Sequence, residues 1–174
     1  MNERLATDLD AAFSDFVSTY QDGLFSGSYR MTGDRGDAED VTQETFVRAY
    51  RALRGYDADR IASLELRPWL WTIALNLYRN RARARARRPE TELDGYEAHT
   101  GGPEDGAVDR QHLAGLLADL PTPQRAAVVL RHVVDLSYDE MAEALGRPAG
   151  TLKADVHRGL ERLRSALSKE EVNR

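Results

Sequence analysis

The chain has 174 residues, a net charge of −5, four histidines and no cysteine. That length suits two small all-helical domains, and the acidic balance excludes a protein coated in positive charge for indiscriminate nucleic-acid binding, so any basic surface must be local. Without cysteine there is no disulfide framework, thiolate metal site or thiol nucleophile, and with no signal-like or bilayer-length apolar run the expected location is the cytoplasm.

Composition divides the chain into three zones: a domain over 1–88, a flexible acidic linker over 89–108 and a second helical domain over 109–174. In the first, Leu9, Ala12, Phe13, Phe16, Val17 and Tyr20 are spaced for one helix, and Tyr29 to Thr32 end a second before the turn Gly33-Asp34-Arg35-Gly36. A longer helix follows, with Asp37 as its cap. Ala38, Val41, Thr45, Ala49 and Ala52 make one face, and Phe46, Tyr50 and Leu53 widen it toward a core. The other face carries Asp37, Asp40, Glu44, Arg48 and Arg51; acids first and bases last suit the helix dipole, which alone accounts for the row. A loop from Arg54 to Leu66 leads to Pro68, which opens a helix containing Trp69, Leu70, Ile73, Ala74 and Leu77. Strand signals are few, and the expected fold class is all-α.

From Arg67 to Pro89 there is no Asp or Glu, and six arginines fall between Arg79 and Arg88. On a helix, Arg79 and Arg83 lie on one side and Arg81 and Arg85 on the other, so arginine surrounds the helix end and can straddle a nucleic-acid backbone. Trp69, Trp71, Asn76, Tyr78 and Asn80, just upstream, add flat rings and amides of the kind that stack on unpaired bases and hydrogen-bond to their edges. For Trp69 and Ile73, and for any one aromatic of this group, a plain apolar core is the simpler account. From Glu90 to Asp109 there are seven acids and no Lys or Arg, a composition that predicts a mobile, extended connection.

The last zone carries a helix-turn-helix between Ser137 and Arg164. Ser137 and Glu140 have capping-box spacing, Met141, Ala144 and Leu145 form an inner stripe, Gly146 supplies a left-handed helix end, and Pro148 prepares the next start. In the second helix Leu152, Val156, Leu160, Leu163 and Leu167 pack one face. The free face carries Thr151, Ala154 and Arg158, flanked by Lys153 and His157; residues at the N-terminal end of such a helix reach base edges in a major groove, while Lys and Arg further along hold phosphates.

Taken in order, these segments resemble a bacterial RNA polymerase sigma factor of the extracytoplasmic-function (ECF) group, the minimal kind with only the second and fourth sigma regions. Residues 28–53 resemble the polymerase-docking part of region two, 67–81 its promoter-melting part, and 119–131 with the helix-turn-helix region four. The resemblance implies a protein that binds core RNA polymerase, directs it to chosen promoters and helps open the DNA, without metal or cofactor. It implies that Asp37, Asp40, Gln43, Glu44 and Arg48 face the clamp helices of the largest polymerase subunit. The loop from Tyr56 to Leu66, with Trp69, Asn76, Arg79, Asn80 and Arg83, would hold the unwound non-template strand at the minus-ten element. Thr151, Lys153, Ala154, His157 and Arg158 would read the minus-thirty-five element as duplex. The acidic linker would thread the polymerase cleft, and an anti-sigma factor, often tethered to a membrane, would clasp both domains.

Some positions depart from the group. The Tyr56-to-Trp69 connection is longer than usual, and Thr72 and Leu75 stand where arginines are common. Asp155 stands where many relatives have arginine; a carboxylate is repelled by phosphates, so it pairs with Lys153 or Arg158 or points away. Two other functions compete. A conventional helix-turn-helix regulator would use the first block as a sensor or dimerisation domain, but has no reason to set the Arg67–Arg88 tract opposite an acidic linker. An enzyme would need a constellation that neither the acids at 37–44 nor His112, His132 and His157, at no metal-ligand spacing, provide.

Overall fold

The computed structural model describes residues 1–86 and 107–172, all-α and without strands among those residues. The segment expected as the linker lies outside the described residues except for its last two positions, and so do Arg87 and Arg88. The N-terminal domain comprises α1 (Asn2–Thr7), α2 (Leu9–Thr32), α3 (Arg35–Arg54), α4 (Ala58–Ser63) and α5 (Leu66–Ala86). The C-terminal domain comprises α6 (Ala107–Ala118), α7 (Thr122–His132), α8 (Tyr138–Leu145) and α9 (Ala149–Val172).

Caps set the helix boundaries. The Asp8 carboxylate accepts from the backbone N–H of Ala11 at 3.0 Å to start α2, which ends at Gly33 in the left-handed region, φ +73°. Asp34, in extended backbone immediately after that glycine, accepts from the N–H of Asp37 at 2.7 Å and caps α3. Asp37 is therefore a first-turn residue, not the expected cap. Asp57 accepts from Arg60 N–H at 2.8 Å and starts α4 inside the stretch expected to be a loop. That short helix is held because Ile61 is buried, and because the Asn2 side-chain amide donates to the carbonyls of Ile61, Ala62 and Leu64, pinning α1 to α4.

The two helices expected across Leu9–Thr32 are one. Gly23 and Gly27 each cost about 1 kcal/mol relative to alanine in a helix interior, a handicap that tertiary packing overrides. At Gly27 the packing needs the missing side chain: a Cβ there would sit 2.5 Å from the Trp71 ring and 3.1 Å from Val134. α2 and α3 enclose Phe16, which contacts Phe13, Tyr20 and Phe46 at ring-centroid distances of 5.6, 5.0 and 5.9 Å.

In the C-terminal domain the buried residues Leu130, Leu136, Met141 and Leu152 join α7, α8 and α9. Of the expected apolar stripe of α9, Leu152, Val156 and Leu163 are buried and Leu160 is partly buried, but Leu167 is 42% exposed. The cause is length: 24 residues of α9 run about 36 Å, against about 16 Å for the 11 residues of α7, so the last turns outreach their partner. The two domains touch, α5 packing on α8 and α2 on α6 and α7. Arg125 links them by donating to the carbonyl of Met31 at 3.0 Å while also reaching those of Ala118 and Leu120.

Candidate polymerase and nucleic-acid interfaces

Helical spacing puts Asp37, Asp40, Gln43, Glu44 and Arg48 on the outer side of α3, opposite buried Ala38, Val41, Thr45 and Ala49. Asp40, Gln43, Glu44 and Arg48 line an open groove with Val47 of the same helix and Leu77, Asn80, Arg81 and Ala84 of α5. Arg48 donates to Glu44 at 2.7 Å; that bond, with the positive fields of Arg51 and Arg81, holds the Glu44 carboxyl below its usual 4.5. Four groove residues, Val47, Leu77, Arg81 and Ala84, were not among the site residues expected from sequence. Val47 is 42% exposed, an apolar group in a charged row, and Arg81 reaches from α5 to the acids of α3. The position of Val47 one residue before Arg48 carried a signal; the reach of Arg81 depends on a helix crossing that spacing does not encode.

Along α5, Trp69, Asn76, Asn80 and Arg83 recur at seven, four and three residues and share one face. Asn76, Asn80 and Arg83 are exposed, and Trp69 is half-buried beside Tyr56, their rings 6.3 Å apart. The Arg60 guanidinium lies 3.7 Å from the Tyr56 ring centroid, so the Tyr56-to-Leu66 connection supplies a cation stacked on an aromatic. Arg79 takes a neighbouring position, donating to the Asn76 side-chain oxygen at 2.9 Å and to the Leu145 carbonyl at 3.4 Å. Trp71 and Tyr78, which suggested further stacking platforms, are buried. Lying about 200° around the helix from Trp69, they share the inner face with Ala74 and Leu75. Leu75 is likewise core, so the sequence departure there does not thin an outer face.

In the helix-turn-helix, Ser137 and Glu140 form a complete capping box: the Ser137 hydroxyl accepts from Glu140 N–H at 3.2 Å, and the Glu140 carboxylate accepts from Ser137 N–H at 2.6 Å. Gly146 ends α8 at φ +62°. Beyond the turn, Thr151, Lys153, His157 and Arg158 are exposed and Ala154 half-exposed, together on the outward side of α9. His157 lies 3.2 Å from Glu161, and the Lys153 ammonium is 5.4 Å from the Tyr138 ring centroid. Asp155 is only 4% exposed. One of its oxygens accepts from Arg158 at 2.7 Å and the other from Arg147 at 2.5 Å, so Arg158 is one of its expected partners, Arg147 an unexpected one, and Lys153 is elsewhere. Burial pushes this carboxyl up, but the bonds and charges of Arg158 and Arg147 together outweigh it and hold it below its ordinary 3.8.

The structure thus gathers the expected residues into three surfaces, on α3, α5 and α9. It also brings α5 against the second domain, where Arg67 donates to the Asp135 carbonyl at 3.0 Å and approaches Glu140 at 3.9 Å. Asp135 has a left-handed backbone, φ +58°, and its side chain accepts from Arg131 at 3.0 Å.

The Sigma-70 region 2 family model matches residues 16–88, covering the α3 and α5 surfaces, and the Sigma-70, region 4 model matches residues 110–163, covering the helix-turn-helix. The ECF RNA polymerase sigma factor SigW of Bacillus subtilis is 36% identical over 172 residues, spanning 90% of this chain and 89% of its own. The ECF RNA polymerase sigma factor SigE of Mycolicibacterium smegmatis is 34% identical over 165 residues, spanning 91% of this chain and 62% of its own. The fold is similar to that of the sigma factor RpoE of Bartonella quintana, solved with the anti-sigma factor NepR, with a TM-score of 0.75 at 24% identity over 90% of this chain and 96% of that one. With both sigma-70 regions present in order, and with relatives this similar over most of their length, the chain belongs to the ECF RNA polymerase sigma factors.

Proposed function

We propose that this ECF sigma factor binds core RNA polymerase through the outer face of α3 and carries it to promoters that α5 melts and α9 recognises. Asp37, Asp40, Gln43, Glu44 and Arg48 are the docking residues. Tyr56, Trp69, Asn76, Arg79, Asn80 and Arg83 hold the unwound minus-ten strand, and Thr151, Lys153, Ala154, His157 and Arg158 contact the minus-thirty-five duplex. The working division is a region-two domain over 1–88, an acidic linker over 89–108 and a region-four domain over 109–174. The protein acts in the cytoplasm, where an anti-sigma factor covers both domains; among the described residues no helix is long and apolar enough to cross a membrane.

The single observation that carries this reading is the α5 stripe, in which Trp69, paired with Tyr56 of the preceding connection, and exposed Asn76, Asn80 and Arg83 run along one helix face. Aromatic rings bind unpaired bases by stacking, amides bond to base edges, and arginine neutralises phosphate, a combination suited to a separated strand. The helix-turn-helix, in contrast, suits an intact major groove. The test is reconstitution with bacterial core polymerase on a library of promoters randomised over both elements. Copurification with core and transcripts from a restricted set of sequences are expected. Failure to bind core, or transcripts independent of upstream and downstream sequence, would overturn the assignment.

A further inference from the structure

Asp155 is the only acid or base whose side chain is buried among the described residues, and it lies on the helix assigned to duplex recognition. Its two oxygens are divided between two guanidiniums. Oδ1 accepts from Arg158 Nη2, three residues along α9, and Oδ2 accepts from Arg147 Nη2, in the turn between Gly146 and Pro148. The carboxylate therefore ties the turn of the motif to the body of its second helix. It does so from beneath: Asp155 is sealed from solvent, while the Arg147 and Arg158 side chains remain 33% and 54% exposed.

A guanidinium carries five N–H donors in a fixed plane. With one Nη2 donor of Arg158 committed to Asp155, the guanidinium is restrained, and with the side chain 54% exposed its other donors remain open to a partner. An arginine held this way is suited to the paired acceptors of guanine, O6 and N7, whereas an unrestrained one settles on any phosphate oxygen within reach. The buried carboxylate also cancels one of the two local positive charges, lowering sequence-independent attraction to the DNA backbone.

Building on the assignment of α9 to the minus-thirty-five element, we propose that Asp155 is a specificity-determining positioning residue that fixes Arg158 to read a guanine in the duplex, with Arg147 braced at the same carboxylate.

The test uses holoenzyme formed from the full chain and bacterial core polymerase, selecting from linear promoter duplexes randomised across the upstream element. Wild type should prefer guanine at one position. Arg158→Ala and Asp155→Asn should each lose about tenfold of that preference, the range expected for one bidentate base contact, at that same position and with the others kept. The double variant should lose no more than Arg158→Ala alone, since one contact is removed either way. Binding of Asp155→Asn to random-sequence duplex should rise, and Asp155→Glu should recover part of the lost preference. An unchanged base profile in folded Asp155→Asn would overturn the proposal, and so would an equal flattening at every position, which is the signature of a merely structural role. If the wild-type holoenzyme itself selects no upstream sequence, the assignment of α9 fails and takes this inference with it, an outcome distinguished by needing no variant.

Discussion

Arg81 of α5 donates to the Asp40 carboxylate of α3 at 3.3 Å and to the Asp37 backbone carbonyl at 3.2 Å, joining the helix proposed to dock on polymerase to the helix proposed to melt DNA. Asp40 remains 65% exposed, so this tie contributes little to folding, on the order of 0.5 kcal/mol after solvent screening. Its importance lies in geometry, because a partner seated on α3 also touches the base of the α5 arginine cluster.

Neutralising the α3 acids should therefore be felt in assembly and not in stability. Asp40→Asn combined with Glu44→Gln is expected to weaken core polymerase binding about tenfold at low salt and less at high salt, since exposed charges are screened. Unfolding midpoints should move little. Competition against wild type for core at two ionic strengths checks this, and a salt-independent loss would contradict a charge-based dock.

The α5 cluster should show the opposite profile. Arg79→Ala with Arg83→Ala is expected to reduce open-complex formation on closed templates by at least about tenfold, with core affinity nearly intact, because lost phosphate contacts act on the DNA step. A template already carrying an unpaired bubble should recover much of the activity. Permanganate footprinting beside a core-binding assay separates the two steps, and equal loss in both would contradict this division of roles.

Gly27→Ala tests the packing of α2 against Trp71. A new Cβ 2.5 Å from the indole cannot be accommodated without movement, and overpacking of this kind costs about 1–3 kcal/mol. Denaturant unfolding should report the loss, and tryptophan fluorescence should shift because the displaced ring is one of two in the chain. An unchanged midpoint and spectrum would show that α2 yields instead.

The pH dependence of stability follows from Asp155. Its folded-state value lies below the ordinary 3.8, so the stabilisation from its ionised form is fully present above the unfolded value and is lost as pH falls through the depressed folded value. Urea unfolding of wild type should therefore weaken between about pH 5 and pH 3 more steeply than that of Asp155→Asn. At neutral pH the variant should be less stable by about 1–2 kcal/mol, the cost of weakening a buried charge-assisted bond. Parallel slopes for the two proteins would rule out the assigned cause.

How much of this was legible in the sequence depended on whether the determining interaction was local. The Ser137 capping box, the Gly146 helix end and the inner stripe of α8 were visible because each involves residues within one or two turns. The α3 cap was misplaced by three residues because Asp34 and Asp37 are both plausible caps, and the left-handed Gly33 before Asp34 decides between them. The join of α2 through Gly23 and Gly27 was hidden because its cause, Trp71, lies 44 residues beyond Gly27 in the chain. Trp71 and Tyr78 stayed ambiguous for the same reason: an aromatic beside a basic tract has the same local pattern whether it meets a base or a core, and both are core. Among the candidate interface residues, membership of each surface followed from helical spacing, while Arg81, Arg147 and the seat of Asp155 required the tertiary crossing.

The contact of α5 with α8 bears on how such a molecule meets its template. Elements named for positions ten and thirty-five upstream stand about 25 base pairs apart, a run of about 85 Å at about 3.4 Å per pair. Helices packed side by side have axes only about 8–10 Å apart. While Arg67 and Arg79 are spent on the carbonyls of Asp135 and Leu145, the chain is folded like a closed pair of callipers, too narrow for the distance it must measure. If α5 and α9 take the two elements proposed for them, the domains must part and those two arginines must release their carbonyls first.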